Sequence, residues 1–194
     1  MSFEQTKYQV IRNAISYDLA NFCFNYFLLK RDAIKFMYDN NFIAENGMHG
    51  TWKDPQVPGV YSIYADHVME TLLVKTLPVM KEKTGLNLLP TYSYARVYEK
   101  GSILKKHKDR PSCEVSTTIN LGGDLWSIYV EGTKIDLNPG DMLIYAGCEL
   151  EHWREPFEGS ICGQVFLHYN HVDGPFAKTN LYDKRPLLGV PNIR

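Results

Sequence analysis

The hydrophobic period of this chain changes once, near residue 88, and that change restricts the fold more than any other feature. Before it the pattern is helical. Phe27 to Asn40 is rich in helix formers (Leu28, Leu29, Lys30, Ala33, Lys35, Met37) and runs into Asp39-Asn40-Asn41, a sequence that stops a helix. A Pro/Gly loop follows, from Asp54-Pro55 to Pro58-Gly59. Asp66 to Thr84 then sets Val68, Leu72, Leu73, Thr76, Val79 and Met80 on one helical face, with Gly85 as its stop. Pro78 inside this run is expected to kink or split the helix, because it has no N–H to donate and its ring crowds the preceding turn.

From residue 90 the period becomes two. Tyr92, Tyr94, Arg96 and Tyr98 alternate with Ser93, Ala95 and Val97. Further strands are expected over Glu114–Asn120, Trp126–Val130, Lys134–Leu137, Met142–Tyr145 and Ile161–Tyr169. Turn chemistry joins them: Leu121-Gly122-Gly123-Asp124, Glu131-Gly132 and Asn138-Pro139-Gly140-Asp141, the last suited to a type II turn. Closely spaced short strands close into a sandwich or barrel. The tail from Asp173 to Arg194, with Pro175, Pro186 and Pro191, is expected to be irregular and to lie over the surface.

Composition narrows the function classes. A chain of 194 residues buries roughly 70% of its unfolded surface and supports one full domain. A net charge of −1 gives no pull towards nucleic acid or an anionic membrane, and Lys105-Lys106-His107-Lys108 is too short to act as a binding patch. No apolar stretch approaches the ~20 residues of a membrane span. Cys23, Cys113, Cys148 and Cys162 form no C-x-x-C pair, which argues against a zinc ribbon and, in a chain of this size, against a disulfide framework. Met1-Ser2-Phe3-Glu4-Gln5 starts polar, so no signal peptide is expected. These features suit a reducing, cytoplasmic setting.

His107-Lys108-Asp109 is the pattern that carries chemistry. On an extended segment residues i and i+2 point the same way, so one imidazole and one carboxylate can converge on one ion. His152, just after the expected strand Met142–Tyr145 and a turn at Gly147, can supply the third ligand. Two imidazoles and one carboxylate on one face of an octahedron leave three positions open, an arrangement that suits iron(II).

The run Arg96-Val97-Tyr98 … Gly101-Ser102-Ile103-Leu104 … His107-Lys108-Asp109-Arg110 resembles the R-x-Y-x-x-G-x-x-L-x-x-H-x-D stretch of the prolyl 4-hydroxylase-like 2-oxoglutarate/iron(II) oxygenases. Val115–Leu121 stands where that family has a T-x-x-x-x-L-N strand, and Leu137 to Tyr145 resembles its P-x-x-G-x-x-x-x-F segment. His152 then matches the distal histidine, with Pro156 and Gly159 near the positions of the H-x-x-x-P-x-x-x-G tail. The resemblance covers roughly residues 90–170. It implies an α+β fold with a double-stranded β-helix (jelly-roll) core over 89–172, a packed N-terminal helical layer over 1–88 and a C-terminal extension over 173–194, all in one domain. It also implies Fe(II), 2-oxoglutarate and O2 as cofactor and cosubstrates, with ascorbate as an accessory reductant. The reaction would be decarboxylation of 2-oxoglutarate to succinate and CO2, coupled to hydroxylation of a C–H bond in a small-molecule or peptidyl substrate.

One departure matters. The family places Arg or Lys about ten residues after the distal histidine to hold the far carboxylate of 2-oxoglutarate, and here that position is Cys162. A buried dicarboxylate without a cation costs several kcal/mol. Arg154 shares the inward parity of His152 and can grip a carboxylate bidentately, or can pair at the surface with Glu155 or Glu158. The rival source is the strand face of Tyr92, Tyr94, Arg96 and Tyr98, with Gln164 and His168 as hydrogen-bonding neighbours. His168 and His171 have no partner at ligand spacing and read as structural. Trp126, Trp153 and Phe166 read as barrel filling, with Trp153 also placed to shape the mouth of the site, and Arg110 reads as a solvated charge or as a group that reaches a substrate carboxylate. The missing cation keeps two other readings open: a cupin-like isomerase or dioxygenase that does not use 2-oxoglutarate, and a non-catalytic metal-binding barrel.

Overall fold

The computed structural model describes residues 2–191. A one-turn helix, α1 (Phe3–Thr6), leads into strand β1 (Tyr8–Ile11) and then into α2 (Tyr17–Asp39). Helix α2 starts ten residues before the expected Phe27, because Ser16 caps it by accepting from the Leu19 N–H at 3.2 Å. Its first turns have modest helix propensity, and burial of Ala20, Cys23 and Phe27 holds them in place.

Strand β2 (Tyr61–Tyr64) and helix α3 (His67–Thr84) follow. The Asp66 carboxylate caps α3 by accepting from Val68 and Met69, and Gly85 closes it at φ +71°. Pro78 does not split the helix as expected. The carbonyl its missing N–H leaves free belongs to Val74, which is 52% exposed, so water can take the bond.

The β core comprises β3 (Leu88–Glu99), β4 (Leu104–His107), β5 (Val115–Gly123), β6 (Ile128–Val130), β7 (Thr133–Ile135), β8 (Met142–Tyr145), β9 (His152–Arg154) and β10 (Ile161–His171). They form an antiparallel six-stranded sheet, β1-β8-β5-β10-β3-β2, facing an antiparallel four-stranded sheet, β4-β9-β6-β7. This is the expected double-stranded β-helix, with α2 and α3 packed on the outer face of the larger sheet. The N-terminal region is not wholly helical, since β1 and β2 extend the larger sheet at its two edges. Strands β6 and β7 are shorter than expected. They meet at Glu131-Gly132, with φ +47° and +81°, the positive pair that a two-residue hairpin requires. In the Asn138–Asp141 turn, Gly140 has φ +90° and the Asp141 N–H donates to the Asn138 carbonyl at 2.9 Å.

The alternation of β3 resolves as two buried faces. Ala95 and Val97 join the apolar core under the helices, with Val165, Leu167 and Tyr169 of β10. Tyr92, Tyr94 and Arg96 face a cavity inside the barrel, and Tyr98 packs in an inner cluster with Trp126, Phe157 and Cys162. Large apolar side chains thus seal the sheet against the helices, and polar-tipped ones line the barrel.

The tail is tied to the barrel by specific contacts. Helix α4 (Ala177–Asn180) and the turn after it dock on the barrel, and Arg185 forms a 2.7 Å ion pair with Glu70, both side chains 3% exposed. Glu70 also accepts from the backbone N–H of Ser93 and of Gly189. A buried carboxylate on α3 needs a cation, and the tail supplies it. Among the described residues no helix is long and apolar enough to cross a membrane.

Candidate metal centre

Strands β4 and β9 pair in a register that sets His107 opposite His152, with ring centroids 4.3 Å apart. Asp109 lies two residues past His107, and its N–H donates to the Gly147 carbonyl at 2.8 Å. Asp109 Oδ1 stands 3.7 Å from His107 Nε2 and 3.5 Å from His152 Nε2, so the three side chains form a group able to hold one ion. His152 is buried, while His107 and Asp109 are half-buried.

The tautomers follow from the surroundings. His107 Nδ1 lies 2.7 Å from the Lys105 carbonyl, and His152 Nδ1 lies 3.1 Å from the Leu150 carbonyl. A carbonyl only accepts, so both Nδ1 atoms carry the proton and both Nε2 lone pairs point at Asp109. Burial, with His152 nearby, lowers the His107 pKa, which favours the neutral ring that a metal needs. Burial pushes the Asp109 carboxyl up, but the imidazoles in their protonated form, His152 first, then His168 and His107, outweigh that and hold it below its ordinary range.

A cavity of ≈ 440 Å³ opens beside the triad. Its walls carry Tyr64, Tyr92, Tyr94, Phe166, Arg96 and Arg110, with Asp54 and Gln56 reaching in from the Pro/Gly loop. Arg96 pairs with Asp54 at 2.7 Å and donates to Gln56 Oε1 at 2.6 Å, and Tyr94 Oη donates to the same Asp54 oxygen. Burial raises the Asp54 pKa, but Arg96 and Tyr94 outweigh it and hold the carboxyl below its usual range. The Gln56 amide donates to His107 Nε2 at 2.9 Å.

Of the sequence-derived cosubstrate candidates, Tyr94 and Arg96 line this cavity. Tyr98, Arg154 and Gln164 are buried outside its lining: Arg154 and Gln164 are hydrogen-bonded to each other, and Tyr98 Oη accepts from Arg96 at 3.4 Å. Arg154, 1% exposed, donates to the Trp126 carbonyl and to Gln164 Oε1, and its Nε has no partner. Among the described residues no carboxylate reaches it, and burial pulls its pKa down. Gln164 is held by Thr118 and by the Cys162 thiol as well. Arg154 therefore has the inward orientation expected of it and makes no surface pair with Glu155 or Glu158.

Other residues differ from their sequence-level reading. His168 lines the cavity and lies near Asp109 and Cys113, and burial lowers its pKa to about 4. Arg110 makes a two-point contact with Asp183 at 2.7 Å for each nitrogen, and Asp183 also accepts from Tyr64 Oη and Ser112 Oγ. The tail thus supplies a carboxylate at the cavity mouth, in a stretch where Tyr182, Asp183 and Lys184 all have positive φ. Trp153 stacks on Tyr129 under Lys106, on the outside of the smaller sheet. Asp54 and Gln56 had no sequence signal beyond a loop, and Asp183 none beyond an irregular tail.

No family model matches the sequence, and no curated protein matches it. Solved structures do. A prolyl-4-hydroxylase from Pseudomonas putida aligns over 87% of this chain and 95% of its own, at 14% identity and TM-score 0.62. HygX from Streptomyces hygroscopicus, with nickel and 2-oxoglutarate bound, aligns over 88% of this chain and 85% of its own, at 13% identity and TM-score 0.59. EctD from S. alaskensis, with bound Fe, aligns over 96% of this chain and 83% of its own, at 14% identity and TM-score 0.62. At such identities the likeness is one of fold: the chain shares the fold of a prolyl-4-hydroxylase and of two further proteins solved with nickel and 2-oxoglutarate or with iron.

Proposed function

We propose that the chain is an iron(II)- and 2-oxoglutarate-dependent oxygenase that hydroxylates a C–H bond of a small-molecule or peptidyl substrate. The observation that carries the reading is the facing pair His107 and His152, each with Nδ1 engaged by a backbone carbonyl and Nε2 turned to Asp109 Oδ1. That donor set fits iron(II): two neutral imidazoles and one carboxylate, with room for further ligands on the cavity side. A metal so held would supply the oxidising power, drawn from O2, with 2-oxoglutarate giving up two electrons as it is decarboxylated to succinate and CO2.

The buried cation fits a dicarboxylate cosubstrate. Arg154 projects into the barrel from the same strand face as His152 and has an unpartnered Nε. Its guanidinium would take the distal carboxylate, Tyr98 Oη would add a hydroxyl donor, and Gln164 keeps the guanidinium aligned. Arg96 is already countered by Asp54 and so is the weaker anchor. The walls built of Tyr64, Tyr92, Tyr94 and Phe166 would exclude water and seat the substrate body. HygX, a neighbour of this fold, has been solved with hygromycin B, which is compatible with a small-molecule substrate here. The four cysteines are free, as suits a cytoplasmic iron(II) enzyme.

The test is direct. The protein, supplied with Fe(II), 2-oxoglutarate and ascorbate, is expected to release labelled CO2 faster than Asp109→Ala does. No difference under any substrate mixture would favour a barrel that does not use 2-oxoglutarate.

A further inference from the structure

His168 and Ser116 are cross-strand partners between β10 and β5, and neither has a role in the reading above. Ser116 Oγ lies 2.9 Å from His168 Nδ1, 3.1 Å from Asp109 Oδ2 and 3.1 Å from the Cys113 carbonyl. A hydroxyl has one proton. The carboxylate and the carbonyl only accept, so an unprotonated His168 Nδ1 would leave three acceptors sharing that proton. His168 is therefore the Nδ1–H tautomer and donates to Ser116, whose one proton goes to Asp109 Oδ2 and not to the equally distant Cys113 carbonyl, because an ionised acceptor makes the stronger hydrogen bond. The Tyr92 ring, 4.4 Å from the imidazole, keeps His168 in that orientation, and Ser116 itself is fully buried.

The two Asp109 oxygens are thus unequal. Oδ1 faces both histidine Nε2 atoms. Oδ2 faces Ser116 and the bare Cα of Gly147, where an added Cβ would come within 2.5 Å of it. We propose that Ser116 and His168 are a positioning pair that retains Asp109 Oδ2, so that Asp109 ligates metal through Oδ1 alone. The proposal rests on the metal-centre reading. A carboxylate bound through both oxygens would take a position that the cosubstrates need, and second-layer hydrogen bonds of this kind decide how a carboxylate ligand sits.

The metal-free full chain is titrated with Mn(II) by calorimetry, and the visible spectrum of its Co(II) form is recorded. Ser116→Ala is expected to weaken Mn(II) binding by about 10- to 100-fold. It should also change the intensity of the Co(II) bands, as Asp109 Oδ2 swings onto the ion. His168→Phe should shift both readings the same way without touching β5. His168→Asn, which restores an N–H at the position of Nδ1, should recover the wild-type spectrum. Wild-type affinity and spectrum in both Ser116→Ala and His168→Phe would overturn the pair. So would a His168→Asn variant as impaired as His168→Phe, since ring packing would then be the whole role. If Ser116→Ala fails to fold, the two His168 variants decide. Wild-type protein that binds neither ion would instead overturn the metal-centre reading, and the pair with it.

Discussion

Gln56 donates its side-chain amide to His107 Nε2 at 2.9 Å, the same nitrogen that faces Asp109. The contact competes with any metal for one lone pair. A neutral hydrogen bond contributes about 0.5–1.5 kcal/mol net, which corresponds to roughly 2- to 10-fold in affinity. Gln56→Ala is therefore expected to tighten Mn(II) binding by that factor in a calorimetric titration. Weaker binding would mean that Gln56 assists the ion instead of competing with it.

Gly147 tolerates no side chain. An added Cβ would lie 2.4 Å from the Cys113 carbonyl, 2.5 Å from Asp109 Oδ2 and 2.8 Å from Ser116 Oγ, and two of those atoms belong to the candidate metal centre. Gly147→Ala should lower the unfolding free energy by about 1–3 kcal/mol as an overpacking change. It should also weaken Mn(II) binding, because of the three crowded atoms only the Asp109 carboxylate borders open space and can be pushed aside. Thermal unfolding and metal titration of the same preparation separate the two effects.

Much of the site was legible because its geometry is local. His107 and Asp109 are two residues apart, and His152 follows the strand Met142–Tyr145, whose bounds the sequence pattern matches. The period-two face of Tyr92, Tyr94, Arg96 and Tyr98 is likewise a property of one strand. What escaped depends on pairs far apart in the chain. Arg185 and Glu70 are separated by 115 residues, and Arg96 and Asp54 by 42. Nothing local distinguishes such partners from solvated charges. Strands β1 and β2 are four residues each and carry no alternation to read, and they gain their order by completing the edges of a sheet made later in the chain. Ser116 and His168 meet only through strand register, which spacing along the sequence does not encode.

The tail should be sensitive to acid. Burial raises the Asp183 pKa, but hydrogen bonds from Arg110, Ser112 and Tyr64 outweigh it and hold the carboxyl below its ordinary value. A depressed carboxyl contributes stability that is full above the unfolded pKa, about 3.9 for Asp, and is lost as pH falls through the lower folded pKa. The stability difference between wild type and Asp183→Asn should therefore be largest at neutral pH and shrink below about pH 4. Limited proteolysis of the tail across pH 3–7 follows the same contact. A gap between the two proteins that does not change with pH would show that the charge of Asp183 is not what docks the tail.

The tail's inner anchor gives a larger effect. Removing Arg185 leaves Glu70 buried and without its cation, a change that costs about 3–5 kcal/mol. Arg185→Met is expected to lower the unfolding midpoint markedly, and Glu70→Gln combined with it should recover part of the loss, since the uncompensated charge is then gone. Denaturant unfolding of the single and double variants measures the coupling. Strictly additive losses would mean that the pair is not a unit.

Arg154 and Arg96 are rival anchors for the distal carboxylate of 2-oxoglutarate, and their surroundings predict different phenotypes. Arg154 has no carboxylate partner among the described residues and is held by the Trp126 carbonyl and Gln164. Arg96 is paired with Asp54, so its loss strands a buried carboxylate and loosens the loop that carries Asp54 and Gln56. Losing one partner of a buried charge pair costs about 3–5 kcal/mol, so Arg154→Ala should weaken 2-oxoglutarate binding by at least about 100-fold. Mn(II) affinity should stay nearly unchanged, because the triad is untouched. Arg96→Ala should lower stability, and Arg96→Ala combined with Asp54→Ala should restore most of it while 2-oxoglutarate still binds. Calorimetric titration of 2-oxoglutarate into the Mn(II)-loaded variants reads the affinities. Intact binding in Arg154→Ala with binding lost in the Arg96/Asp54 double variant would move the anchor to the first strand. Intact binding in both would leave the barrel without a cationic anchor for 2-oxoglutarate.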